Sequence, residues 1–149
     1  MKKIVFVCHG NICRSPMAEY IMKYLINQEK LNDYFLIESR ATSNEEIGNT
    51  IYYKAKNKLK EMNIPFNERQ AKKLQSTDYE TYDYIIGFDE ENISNIKKIL
   101  KHNNKIYKLS NFYNSNNDII DPWYSNNFDD CYKEIYLGCK SLLDKIKPN

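Results

Sequence analysis

The chain alternates between two hydrophobic patterns. Short continuous apolar runs are followed by stretches whose apolar residues recur every three or four positions. The first run, residues 4–7, reads Ile-Val-Phe-Val, as a strand buried on both faces requires. From 17 to about 30, Ala18, Ile21, Met22, Leu25 and Ile26 mark one face of a helix. A second strand is expected at 34–38, followed by a polar loop over 39–49. A helix at 51–62, amphipathic through Ile51, Ala55 and Leu59, is broken by Ile64-Pro65-Phe66. Residues 70–74 fit a turn of strand or of helix equally. Apolar runs at 84–88 and 105–109 predict two more strands. Between them a helix at 90–101 turns Ile93, Ile96, Ile99 and Leu100 inward. An asparagine-rich loop, 111–121, has no periodicity. A last helix, 128–146, has Cys131, Ile135, Leu142 and Leu143 among its buried candidates.

Strands alternating with helices predict an α/β fold, a parallel sheet covered by helices on both faces. Nothing along the chain reads as a repeat, a linker or a second domain, so a single domain over 1–149 is expected. In such folds the ligand site lies outside the carboxyl ends of the strands, near a switch in strand order.

Composition narrows the function classes. The 149 residues are 42% hydrophobic and 28% charged, ordinary for a globular domain. The net charge of +2, from 22 basic and 20 acidic residues, is too balanced to predict nucleic acid or an anionic membrane as partner. No apolar run approaches the roughly 20 residues of a membrane helix. Met1-Lys2-Lys3 leads straight into the first strand, which does not read as a signal peptide. The four cysteines, Cys8, Cys13, Cys131 and Cys139, are therefore read as reduced thiols in a cytoplasmic protein. The abundance of asparagine and lysine reads as a compositional bias of the source genome.

The chemistry concentrates where the first strand ends. Cys8-His9-Gly10-Asn11-Ile12-Cys13-Arg14-Ser15-Pro16 places a cysteine and an arginine at the two ends of a tight loop. Gly10 and Asn11 tolerate unusual backbone angles. Ser15-Pro16 reads as a helix start. A strand, a tight loop and a helix aim several N–H groups and a helix N-terminus at one point, the geometry of an oxyanion site. Those donors and Arg14 favour the thiolate of Cys8, and Arg14 offers two parallel N–H bonds to a phosphoryl group. Asp121, held extended by Pro122, is the candidate proton donor to a leaving group. Its rivals Asp118, Asp129 and Asp130 read as solvated loop or helix-start charges. Trp123 and Tyr124 read as aromatic walls, with phosphorylation of Tyr124 as the other reading.

The nine residues from Cys8 to Pro16 resemble the phosphate-binding loop of the low-molecular-weight protein tyrosine phosphatases. Asp121-Pro122-Trp123-Tyr124 resembles that family's general-acid loop. Ala41-Thr42-Ser43 with Glu46-Ile47-Gly48-Asn49, and Tyr82-Asp83-Tyr84-Ile85-Ile86 with Asp89-Glu90, continue the likeness over nearly the whole chain. The resemblance implies a flavodoxin-like three-layer domain with strand order 2-1-3-4. It implies hydrolysis of phosphotyrosine in proteins, and of small aryl phosphates as an acid phosphatase, through a phosphocysteine on Cys8. No metal or cofactor is expected. Arg14 and Asp121 would be catalytic, with His9, Gly10, Asn11, Ile12, Cys13, Arg14 and Ser15 forming the phosphate cradle. Ser15 would donate to the Cys8 sulfur, and Asn11 would hold a left-handed position through bonds within the loop. Cys13 would trap oxidised Cys8 as a reversible disulfide, or else simply pack. Inorganic phosphate is the expected product and inhibitor. The expected state is a monomer, with a weak dimer as the alternative.

The sequence departs from the family pattern at three places. His9 stands where an apolar residue or threonine is usual, either lining the pocket or facing solvent. Asn44-Glu45 stands where an aromatic often guards the entrance, so Glu45 becomes the pocket residue there and favours basic residues near the phosphotyrosine. The family's second histidine is missing, with Arg69 close to its position. Three other readings compete. Arsenate reductases of this fold need two more cysteines after the third strand, and residues 79–99 hold none. Protein-arginine phosphatases carry threonine where Ile12 stands. A non-catalytic phosphate-binding module needs neither Cys8 nor Asp121.

Overall fold

The computed structural model describes residues 1–149. Four parallel strands, β1 (Lys2–Cys8), β2 (Phe35–Ala41), β3 (Tyr84–Gly87) and β4 (Ile106–Lys108), form one sheet in the order β2-β1-β3-β4. The helices are α1 (Arg14–Gln28), α2 (Tyr53–Glu61), α3 (Asp78–Thr81), α4 (Glu90–Leu100), α5 (Pro122–Ser125) and α6 (Phe128–Ile146). Short 3-10 turns occupy Asn32–Tyr34 and Leu109–Tyr113. The expected fold class and strand order are therefore those observed. Residues 70–74 form neither a regular strand nor a helix turn. Lys73 makes a single parallel bridge to Ala41 at the end of β2.

The period of two along β1 sorts the core into two layers. Ile4, Phe6 and Cys8 belong to the larger core, with residues of α1, α2 and α6. Val5 and Val7 pack with Ile85, Tyr82 and, from α4, Ile96 and Leu100. Both sets are buried, which is why this strand reads as a continuous apolar run. β2 alternates instead, and its inward positions are Phe35, Ile37, Ser39 and Ala41. A serine at a core position is the one polar break in that face.

The helix ends differ from their expected limits for identifiable reasons. α1 begins at Arg14, capped by the backbone of Cys13 with no side-chain bond. Ser15 is thus inside the helix and is not its cap. Its hydroxyl is committed elsewhere, as described below. With only four glycines in the chain, left-handed positions fall to other residues. Lys30, Asn63 and Lys101 follow α1, α2 and α4 with φ near +60°, and Asn11, Asn114 and Asn126 adopt the same region in loops and turns. Asparagine is the side chain that tolerates this conformation best, so part of the asparagine content has a structural use.

Gly138 in α6 shows how closely the last helix is seated. A Cβ there would lie 2.4 Å from Leu109 Cγ, in the 3-10 turn that leads to the 111–121 loop. Gly138→Val should therefore destabilise the fold by about 2 kcal/mol through overpacking. Chemical denaturation measures this, and an unchanged midpoint would show that the turn can yield without cost.

Candidate active site

Cys8 ends β1 on the face that carries α1, and its side chain is buried in the floor of a cavity of about 110 Å³. The lining comprises Cys8, His9, Gly10, Ile12, Cys13 and Arg14 from the loop, Glu45 and Glu46 from the segment after β2, and Asp121, Trp123 and Tyr124. The three separate segments predicted from sequence to meet, the loop, the stretch around Glu45 and the stretch from Asp121 to Tyr124, all line it. The loop's carbonyls are tied from outside: Thr42 N–H donates to Cys8 O (2.9 Å), Ser43 N–H to His9 O (3.0 Å) and Tyr52 N–H to Ile12 O (2.9 Å). Its amides from His9 to Cys13 bond to no other protein group. The result is a ring of N–H donors at the start of α1, where the helix dipole adds positive potential.

Asn11 fixes that ring. It sits at φ +59°, and its amide spans three partners. Its Nδ2 donates to Ser15 Oγ (2.7 Å) and to Ser39 Oγ (3.0 Å), while its Oδ1 accepts from Lys72 N–H (3.1 Å). Ser39 in turn donates to Glu19 Oε1 at 2.6 Å. Ser15 Oγ lies 3.0 Å from Cys8 Sγ. Because Ser15 accepts from Asn11, its own proton is free for the sulfur. The side chains of Asn11 and Ser15 are thus behind the loop, buried, and do not line the cavity.

Arg14 is 2% exposed and reaches three residues on two distant chain segments. Nη1 donates to Asp89 Oδ2 (2.7 Å) and to Ile119 O (2.8 Å), and Nη2 lies 3.5 Å from Asp121 Oδ2. Burial alone pushes a guanidinium pKa down. Cys8, Asp89 and Asp121 more than offset it, and the net shift is upward. The opposite holds for Cys13, whose thiol is pushed well up by burial and by the neighbouring Cys8. Cys131 on α6 is raised to about 12, chiefly by burial, and interacts with Cys8, Arg14 and Asp121. Cys13 and Cys131 are thus neutral thiols at pH 7.

Asp121 caps α5: its Oδ1 accepts from Trp123 N–H at 3.0 Å, leaving Oδ2 toward Arg14. Pro122 takes the first helical position. The rivals are engaged elsewhere. Asp118 Oδ1 accepts from Glu90 N–H (3.1 Å) and from Lys108 Nζ (2.9 Å). Asp129 pairs with Lys58, and Asp130 with Asn127. At the mouth, His9 Nε2 lies 3.0 Å from Glu45 Oε2. His9 thus lines the cavity and reaches solvent at once, bridging to the segment after β2. The Trp123 ring lies 4.7 Å from that of Tyr52, while Tyr124 is exposed. Arg69, near the position of the family's second histidine, donates to Ser39 Oγ at 3.4 Å.

Sequence reasoning missed several supports. Asp89 and Arg14 are 75 residues apart, and Asp89 also caps α4 by accepting from Asn92 N–H at 2.7 Å. Ser39 and Glu19 complete the Asn11 network. The period-two pattern of residues 35–41, carried past Glu38, would have turned Ser39 inward. Lys108 is 3% exposed and donates to Asn116 O (2.9 Å) and Asp118, with Glu90 Oε1 at 2.6 Å. It pins the 111–121 loop to β4.

A buried cysteine at a strand end, a ring of free amides, a buried guanidinium and a carboxylate at the rim form an oxyanion-binding loop on a doubly wound sheet. The sequence profile described as "Low molecular weight phosphotyrosine protein phosphatase" matches residues 3–149, and the chain belongs to that family. It is 36% identical over 148 residues to the low molecular weight protein-tyrosine-phosphatase PtpA of Staphylococcus aureus, covering 98% of this chain and 94% of that protein. Its fold is similar to the crystal structure of SP-PTP, a low molecular weight protein tyrosine phosphatase from Streptococcus pyogenes. That likeness has TM-score 0.90 and 39% identity, over 100% of this chain and 95% of the other. YfkJ from Bacillus subtilis superposes with TM-score 0.94 at 33% identity, over 99% and 95% of the two chains. No helix here is long and apolar enough to cross a membrane.

Lys108 gives a test of how the 111–121 loop is held. Lys108→Met removes the anchor but leaves two carboxylates that already reach water. It should cost about 1–2 kcal/mol in chemical denaturation and lower kcat on phenyl phosphate with KM little changed. A variant with full kcat would show that the loop keeps its place without this lysine.

Proposed function

We propose that the protein hydrolyses phosphotyrosine in proteins by a two-step displacement on Cys8 that needs no metal ion. In the first step the Cys8 thiolate attacks phosphorus in line with the leaving oxygen. The S–P bond forms and the P–O bond to the ring breaks. Asp121 passes its proton to the departing phenolate, whose pKa near 10 makes unassisted departure slow. In the second step Asp121, now a carboxylate, takes a proton from water, whose oxygen attacks phosphorus. The sulfur leaves as thiolate, received by the Ser15 hydroxyl, and phosphate is released. Arg14 and the loop amides hold the equatorial oxygens through both steps, the main requirement of phosphoryl transfer.

The observation that carries this reading is the placing of Cys8, Arg14 and Asp121 on one small cavity, with Asp121 Oδ2 at 3.5 Å from the guanidinium. Trp123 and Tyr124 on its rim suit a flat aromatic ring. A buried sulfur in a cavity walled by Trp123 and Tyr124 favours the longer phosphotyrosine over phosphoserine. Ile12 on the same lining favours an aryl ester over phosphoarginine. Glu45, with its side chain 72% exposed at the mouth, favours basic residues beside the phosphotyrosine. Small aryl phosphates are accepted by the same route. Inorganic phosphate, the product, occupies the loop and inhibits.

The test is hydrolysis of aryl phosphates in the presence of a chelator. Cys8→Ser should abolish turnover. Asp121→Asn should lower kcat on phenyl phosphate by about 10² to 10⁴-fold, the usual worth of a positioned acid, and far less on an ester whose phenol is already acidic. Asp118→Asn losing as much as Asp121→Asn would remove Asp121 from the role.

Cys13 supports a second expectation. Its neutral thiol lines the same cavity as Cys8 and is coupled to it electrostatically. Peroxide should inactivate the wild-type enzyme by oxidising Cys8 to the sulfenic acid, and thiol should restore it, because the Cys13 sulfur then bonds to the Cys8 sulfur and the sulfenic hydroxyl leaves as water with the Cys13 proton. Cys13→Ser should recover poorly after the same exposure. Equal recovery of the two would leave Cys13 a packing residue.

A further inference from the structure

A second, larger cavity of about 470 Å³ opens along β2 and α1, in the size range of small-molecule sites. It shares no lining residue with the reaction cavity, but Asn11 forms part of its wall. Four cations and two carboxylates line it. Lys23 pairs with Glu19 at 2.6 Å, and Arg40 with Glu38 at 3.4 Å. Arg69 and Lys72 are left over. Neither has a carboxylate within ion-pair distance; the Lys72 side chain makes no hydrogen bond, and the Arg69 guanidinium makes only the long 3.4 Å bond to Ser39. Arg69 Nη1 is buried and has no partner at all. A buried cationic donor without an acceptor is costly and calls for a reason.

We propose that this cavity is a binding site for a small dicarboxylate, one carboxylate on the Arg69 guanidinium and the other on the Lys72 ammonium. The guanidinium fork matches a planar carboxylate. Burial also lowers the Arg69 pKa despite Glu19 nearby, the behaviour of a cation short of counter-charge. Occupancy is felt at Asn11, behind the loop, because Arg69 and Asn11 both donate to Ser39 Oγ.

The inference goes beyond phosphatase activity, and its test does not use turnover. Succinate is titrated into the isotope-labelled full chain while backbone amide NMR signals are followed. Saturable shifts are expected at Ser39, Arg40, Lys72 and Asn11, with His9, Gly10 and Trp123 little moved. Acetate should bind more weakly. Lys72→Met and Arg69→Gln should each weaken succinate by about tenfold, the loss of one charge-assisted contact, with the rest of the spectrum showing the fold retained. Shifts confined to residues 9–14, acetate binding as well as succinate, or an unchanged affinity in Lys72→Met would each overturn the proposal.

Discussion

The burial of one arginine organises this molecule. Arg14 follows the loop directly, yet its guanidinium is almost wholly out of water and is met by two segments far away in sequence. Asp89 comes from the turn between β3 and α4, and the Ile119 carbonyl and Asp121 come from the end of the long asparagine-rich loop. A buried cation is tolerable only when its donors are matched. Satisfying Arg14 therefore demands that these segments come to the mouth of β1. The same contacts that make the charge bearable assemble the cavity. Ile119 is a two-way link, since its N–H also donates to Phe88 O at 2.9 Å, and the Arg14 guanidinium lies over the Phe88 ring at 5.7 Å.

A second constraint works on the loop from behind. The left-handed backbone of Asn11 is strained for any residue with a Cβ. It persists because both ends of its amide are held, by Ser15 and Ser39 on one side and by Lys72 N–H on the other. Arg14 sets where the rim lies, and Asn11 sets which way the amides face. The two systems meet at Ser15, adjacent to Arg14 in sequence and in contact with the Cys8 sulfur.

How much of this could be read in advance depended on distance along the chain. Cys8, Arg14 and the loop between them occupy seven consecutive residues, so their spacing alone pointed to an oxyanion. The strands and longer helices announced themselves through apolar period, and Asp121-Pro122 stood out once the loop had been read. What escaped was whatever depends on folding back. Lys108 looks like a surface lysine on an edge strand, and only tertiary contacts reveal it as buried. Asp89 reads as a turn residue, and its bond to Arg14 is invisible without the sheet order. Ser15 looked like a helix cap because local rules favour it there, but the Cys8 sulfur and Asn11 compete for its hydroxyl and the cap passes to the backbone of Cys13. α3 and α5, one turn each, are too short to show a period.

The sheet order has a consequence for behaviour in crowded solution. Open sheets carry two borders on which foreign strands could template, and natural proteins blunt such borders. Here β4 is only three residues long, too little to recruit a neighbour. β2 is longer, but its last residue is already engaged by Lys73, and Glu38 and Arg40 place charge along it. Its remaining rim offers poor registry to a stranger. The sheet thus gives a foreign strand little edge to pair with, and the Lys73 bridge that covers β2 lies at the same carboxyl end of the sheet as Cys8.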